Sequence, residues 1–144
     1  LNKSIIDNSL APLESLKTNC IEVNEELAYI TRKYIQKADL QEQIQLHIGD
    51  AKNIIPKLDI TFDLVFIDAG KKDNDWYYEQ ALARLNTGGY ILVDNVLWDG
   101  KVTKQKNDQD TKSIHSFNEK IQSDNRVENI MLPIRDGILL VRKV

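Results

Sequence analysis

Two short apolar runs, each stopped abruptly by a carboxylate, constrain this chain more than any other feature. The first is Phe62-Asp63-Leu64-Val65-Phe66-Ile67-Asp68-Ala69-Gly70-Lys71, and its echo is Gly89-Tyr90-Ile91-Leu92-Val93-Asp94-Asn95. A nearly unbroken apolar run of this length reads as a strand buried on both faces of a parallel sheet, delivering a polar group to the sheet's edge. In open α/β sheets ligands bind beyond the carboxyl ends of the strands, so Asp68, Asp94 and Asn95 are where chemistry is expected.

Length supports a single domain spanning residues 1–144, large enough for one core. The hydrophobic and charged fractions, 42% and 28%, are those of an ordinary globular protein. No apolar run approaches the roughly 20 residues of a membrane span, and Leu1-Asn2-Lys3-Ser4 does not resemble a signal peptide, so a cytoplasmic protein is the expectation. A net charge of −3 argues against a surface built mainly to neutralise phosphates. Lys101, Lys104, Lys106 and Lys112 form a local basic stretch, but Asp108 and Asp110 interrupt it, and it reads as a solvated loop. The single cysteine, Cys20, has no internal disulfide partner and lies in an apolar run where a buried, inert thiol is expected.

Along the chain, residues 1–16 have loose helical spacing, with a helix start at Asn8-Ser9 or Ala11-Pro12. A strand is predicted over 17–23 and a helix over 25–38, capped by Asn24, with Leu27, Ile30, Tyr34 and Ile35 on one face. The run 44–48 alternates as a strand, and Gly49-Asp50-Ala51 turns it into a brief helix broken near Pro56. After strand 62–68, residues 75–85 read as a helix closed by Asn86-Thr87-Gly88-Gly89 as a glycine stop. Strand 90–95 follows, then a polar loop over 99–109 and a helix from 111 to 122. Strands 127–134 and 138–144, turned by Arg135-Asp136-Gly137, read as a hairpin. Strand and helix alternate up to that hairpin, which predicts a doubly wound α/β fold, mainly parallel, with an antiparallel end.

Ile21-Glu22-Val23-Asn24, Gly49-Asp50-Ala51, the run 62–69, the run from Gly88 to Trp98 and the closing Asp136-Gly137 hairpin together resemble the cation-dependent class I O-methyltransferases that use S-adenosylmethionine. That group contains the catechol and caffeoyl-coenzyme A O-methyltransferases and their bacterial relatives, and it has a Rossmann-like fold. The resemblance runs from about residue 17 onward. It departs from the family at one place: the glycine-rich loop that cradles the cofactor's methionine part should precede Glu22, yet no glycine occurs before Gly49. A segment missing around residues 10–18 is the expectation, with a degenerate relative as the alternative.

The resemblance implies roles residue by residue. Asp68, Asp94 and Asn95 are the metal ligands, a hard oxygen set suited to magnesium, calcium or manganese rather than zinc. The alternative is that the two carboxylates simply cap helices at strand ends. Asp68 also borders the cofactor and the reacting atoms. Lys71, three residues on, matches the catalytic lysine; an ammonium partly stripped of water beside a cation yields its proton more readily and can then accept that of a phenol. Gly70 departs from the bulkier or polar residue usual there. Glu22 accepts from the ribose hydroxyls, or serves as a carboxylate at a helix N-terminus. Asp50 with Ala51 contacts adenine, or caps a helix. Trp98 forms an apolar wall for an aromatic substrate, or packs in the core. Trp76, Tyr77 and Tyr78 carry no role, and His47 and His115 read as structural.

These roles imply methyl transfer from S-adenosylmethionine to a small aromatic substrate with vicinal hydroxyls, assisted by a divalent cation, in a homodimer. Three rivals keep part of the pattern. Some bacterial relatives methylate a hydroxylated uridine in transfer RNA, which the acidic charge disfavours. A phosphoacceptor receiver domain also ends an apolar strand in aspartate but lacks the final hairpin. A noncatalytic remnant is suggested by the absent glycine loop.

Overall fold

The computed structural model describes residues 16–104 and 108–144. The expected helix start near residues 8–12, most of the segment around residues 10–18 and Lys106 lie outside the described residues. Two compact units divide the chain, one ending at Leu58 and the other running Asp59–Val144.

In the first unit, β1 (Thr18–Glu22) pairs in parallel with β2 (Ile44–Ile48), Thr18 opposite Ile44 and Glu22 opposite Ile48. Between them α1 (Glu25–Lys37) starts where Asn24 Oδ1 accepts from the Glu26 amide at 3.0 Å, with Glu25 and Glu26 placed favourably in the first turn. Asp50 caps α2 (Ala51–Ile54), and Pro56 then tightens the chain into a 3₁₀ turn over Ile55–Lys57. Two expectations change here. Leu27, Ile30 and Tyr34 are 44%, 48% and 61% exposed rather than packed, because a sheet of two five-residue strands is too small to cover a 13-residue helix; only Ala28 of α1 is buried. Cys20 is half-buried.

The second unit carries the focal strands. β3 (Phe62–Ile67), α3 (Asn74–Arg84), β4 (Leu85–Asp94), α4 (Gln109–Gln122), β5 (Val127–Leu132) and β6 (Ile138–Lys143) make a four-stranded sheet of order β3-β4-β6-β5. β3 and β4 are parallel, whereas β6 is antiparallel to both of its neighbours. The α/β class and the antiparallel ending are as the sequence predicts. The cross-strand pairs Ile91 with Val141 and Val93 with Leu139 face the core, where they meet Tyr78, Leu82, Phe117 and Ile121.

Two expectations fail in this unit. Leu64 and Phe66 are 60% and 59% exposed within it, so β3 buries one face rather than two; the apolar run on its own does not distinguish these cases. Nor does Asn86-Thr87-Gly88-Gly89 stop α3. The helix ends at Arg84, and Leu85 is already extended, buried and paired with Phe62. The register then slips, Leu64 lying opposite Tyr90, so residues 86–89 form an irregularity inside β4 instead of a helix cap. Gly89 fits there for want of space: a Cβ would lie 2.9 Å from the Asn86 carbonyl and 3.0 Å from that of Asp63. The hairpin forms, with Leu132 opposite Ile138 and a five-residue loop rather than the three-residue turn Arg135-Asp136-Gly137; Gly137 sits at φ +82°.

A polar network ties α3 to α4 and β5. The buried Tyr78 hydroxyl donates to Asp124 Oδ2 at 2.9 Å, and Arg126 binds both Asp124 and Glu79. Burial, then the Asp124 carboxylate, raises the Tyr78 phenol above its ordinary range. Arg126 first, with the Tyr78 hydroxyl adding to it, holds the Asp124 carboxyl well below its own. A carboxyl depressed on folding stabilises the protein above its unfolded value, near 4, and loses that contribution as the pH falls toward the folded value. Asp124→Asn is therefore expected to cost about 1–2 kcal/mol at pH 7, and to flatten the decline of stability between pH 4 and 2, in urea unfolding followed at each pH.

Candidate functional site

The register of β3 on β4 sets the site. Ile67 lies opposite Val93, so Asp68 and Asp94, one residue further on in each strand direction, leave neighbouring tips together. Lys71 joins them: its Nζ donates to Asp68 Oδ1 at 3.2 Å and to the Asp94 main-chain carbonyl at 3.1 Å. The Lys71 side chain is only 12% exposed and that of Asp68 53%, so the amine is held inside while the carboxylate faces out. Gly70, extended at φ −60°, leads into the 3₁₀ turn Lys71–Asp73 that aims the lysine back over the strands.

After Asp94 the backbone turns sharply. Asn95 takes φ +61°, which asparagine tolerates better than most residues, and its amide donates to Asp94 Oδ1 at 2.7 Å. The segment that follows is latched from two sides. Val96 and Leu97 amides donate to the carbonyls of Gly137 and Asp136 in the hairpin loop, and Asn118 Nδ2 of α4 donates to the Val96 carbonyl at 2.9 Å. A Cβ on Gly137 would meet Leu97 Cγ, so the loop packs directly on this segment. Trp98 is half-buried at φ +50°, with Lys101 Nζ 5.5 Å from its ring centre.

Glu22, Asp50 and Ala51 lie in the first unit. Glu22 Oε1 accepts from the Asn24 amide at 2.7 Å, and Asp50 Oδ1 from that of Lys52 at 2.8 Å, so each carboxylate shapes the start of a helix; Ala51 opens α2. His47 hydrogen-bonds Asn19, and His115 lies 3.7 Å from Glu119; both are placed structurally. Among the described residues no three His, Cys, Asp or Glu side chains gather as a metal cluster, and the expected set contains two carboxylates and an amide. Sequence reasoning missed Asn118 and Asp136, which hold the segment after Asn95. Asp136 was visible only as a turn residue, and an asparagine inside a helix gives no signal of a distant carbonyl.

The alternation of strand and helix with an antiparallel end is that of the class I methyltransferase fold, and the solved structures it matches have this fold. An O-methyltransferase from Bacillus cereus, in complex with SAH, superposes with a TM-score of 0.77 at 30% identity over 88% of this chain and 63% of its own. The Streptomyces achromogenes O-methyltransferase TomG, in complex with SAM, gives 0.78 at 27% identity over 89% and 62%. A Dictyostelium discoideum protein named "Probable caffeoyl-CoA O-methyltransferase 1" is 37% identical over 130 residues, 85% of this chain and 56% of that protein. The sequence profile described as O-methyltransferase matches residues 4–144. The chain belongs to the O-methyltransferase family. It spans 53–56% of the length of three curated relatives. No helix among the described residues is long and apolar enough to cross a membrane.

Proposed function

We propose that this chain is part of an S-adenosylmethionine-dependent O-methyltransferase acting on a small aromatic substrate with vicinal hydroxyls, with a divalent cation at Asp68, Asp94 and Asn95. The observation that carries the reading is the convergence of Lys71 Nζ on the Asp68 side chain and the Asp94 carbonyl. The family profile runs through both units, which supports a single methyltransferase domain. Relatives with SAM or SAH in their structures support the methyl donor.

The residues fit a hard cation. Asp68 Oδ1 faces Lys71 and Asp94 Oδ1 faces the Asn95 amide, which leaves one oxygen on each carboxylate, and the Asn95 side-chain carbonyl, without a hydrogen-bond partner among the described residues. When bound, the cation supplies polarisation of two adjacent hydroxyl oxygens and S-adenosylmethionine supplies the methyl group. Lys71 accepts the proton. A neutral amine has two N–H groups and one lone pair; with the N–H groups on Asp68 and the Asp94 carbonyl, the lone pair remains for a substrate O–H. Asn118 and the hairpin loop fix the position of the segment after Asn95, so that alignment is set before substrate arrives. In the first unit, Glu22 is assigned to the ribose hydroxyls and Asp50 with Ala51 to adenine, while Trp98 is assigned to the substrate's ring. The reading includes a cytoplasmic homodimer, checked for its oligomeric state by sedimentation.

The test is Asp94→Ala. Calorimetric titration with manganese or calcium is expected to show a loss of affinity of at least about 100-fold, since even outer partners of a metal ligand cost 10–100-fold, and methyl transfer to a catechol-type diol is expected to fall with it. Unchanged ion affinity together with unchanged transfer overturns the assignment.

A further inference from the structure

Trp98, Asp99 and Gly100 take φ of +50°, +52° and +66°, left-handed residues in direct succession. Glycine adopts this region freely, but tryptophan and aspartate crowd their own backbone there, and left-handed residues ordinarily occur singly. Such a conformation persists only where the surroundings over-determine it. Here the loop that joins β5 to β6 does so.

One residue of that loop grips the chain on both sides of Trp98. The Asp136 main-chain carbonyl accepts from the Leu97 amide at 2.9 Å, and its carboxylate Oδ1 accepts from the Asp99 amide. Asp136 is itself set between Arg135 at φ +53° and Gly137 at φ +82°, and Gly137 packs on Leu97. Beyond the grip, the Trp98 carbonyl accepts from the Lys101 amide at 2.9 Å, while Lys101 Nζ lies 3.8 Å from Asp99 Oδ2. The hydrogen bonds from Gly137 and Asn118 act at Val96, upstream of the indole. The Asp136 carboxylate acts past it, at the residue after Trp98. A charged acceptor on a backbone amide makes one of the stronger hydrogen bonds.

We propose that Asp136 is a positioning residue for substrate recognition: its carboxylate, through the Asp99 amide, holds the Trp98 indole as a fixed wall against which an aromatic diol lies. The inference rests on the assignment of Trp98 to the substrate's ring. Ring contacts depend on orientation, so a wall fixed before substrate arrives binds the ring without the cost of ordering the indole first. The same wall stands in the ground state and the transition state. Its loss therefore weakens binding and leaves the chemical step, assigned to Lys71 and the cation, nearly as it was.

The experiment uses the full chain carrying Trp76→Phe, which leaves Trp98 as the single tryptophan, and compares Asp136→Ala with Asp136→Asn. Acrylamide quenching of the indole emission reports how firmly Trp98 is held, and initial rates on a catechol-type diol give KM and kcat separately. Asp136→Ala is expected to raise the quenching constant about twofold and KM about tenfold, the value of one hydrogen bond to a charged acceptor, with kcat within about threefold. Asparagine keeps an oxygen acceptor, so Asp136→Asn is expected to hold both KM and quenching within about threefold and closer to the parent than alanine does. Divalent-ion affinity is expected to stay native in both variants. Unchanged quenching in Asp136→Ala, raised quenching with unchanged KM, or equal losses in the two variants overturns the proposal. Loss of ion affinity in Asp136→Ala does so too, since Asp136 would then support the whole segment. Quenching is read without metal, methyl donor or substrate, so failure there is separable from failure of the cation assignment at Asp94.

Discussion

Lys71→Met is expected to slow methyl transfer by about 10²- to 10⁴-fold, the usual contribution of a positioned proton acceptor. Methionine keeps the length of the side chain but removes both donors, so this variant alone does not distinguish a base from a strut. Lys71→Arg does. Guanidinium can still donate to Asp68 and to the Asp94 carbonyl, yet it stays protonated throughout the accessible pH range and cannot accept a proton. The expected result is slow transfer in both variants, with divalent-ion affinity kept in the arginine one, measured by initial rates on a catechol-type diol beside ion titration. An arginine variant at near-native rate leaves Lys71 as a positioning residue and removes the base from the proposal.

Phe117→Ala is expected to destabilise the second unit by about 3–5 kcal/mol, against a typical total of about 5–15 kcal/mol. Phe117 is 2% exposed and packs edge-on against Tyr78, ring centres 6.1 Å apart at 82°. Its removal opens a void between α4 and α3 and loosens the ring whose hydroxyl holds Asp124. Phe117→Leu refills part of that space and is expected to cost markedly less. Urea unfolding of the two variants measures both; equal and small losses would mean that the helices repack freely over the sheet.

The strand-tip half of the candidate site was legible because strand chemistry is local. An apolar run cut off by aspartate can be read without knowing its neighbours, and two of them at matching depth bring Asp68 beside Asp94 as soon as the strands pair. The hairpin was legible for the same reason, since Asp136-Gly137 supplies its own turn signal. What depended on distant partners was not. Asn86-Thr87-Gly88-Gly89 has the composition of a helix stop, and only the pairing of Leu85 with Phe62 and the crowding of Gly89 by the Asp63 carbonyl turn it into strand. Leu27 and Ile30 have helical spacing whether or not anything covers them. Asn74 sits among Asp73 and Asp75 at a helix start, where the sequence gives no cue that its amide is buried without partners.

The position of β6 governs when the acidic tips become usable. β4 carries Asp94, but its second edge is closed by residues 138–143, some forty positions downstream, and the loop before β6 supplies the carbonyls that fix Val96 and Leu97. A nascent chain synthesised only as far as residue 132 has the sequence of both aspartates and lacks the strand that aligns one of them. Alignment of the two strand tips thus depends on long-range pairing, and pairing distant segments of this kind is slow. Ribosome-stalled chains ending before and after β6 should differ sharply in their capture of divalent ions.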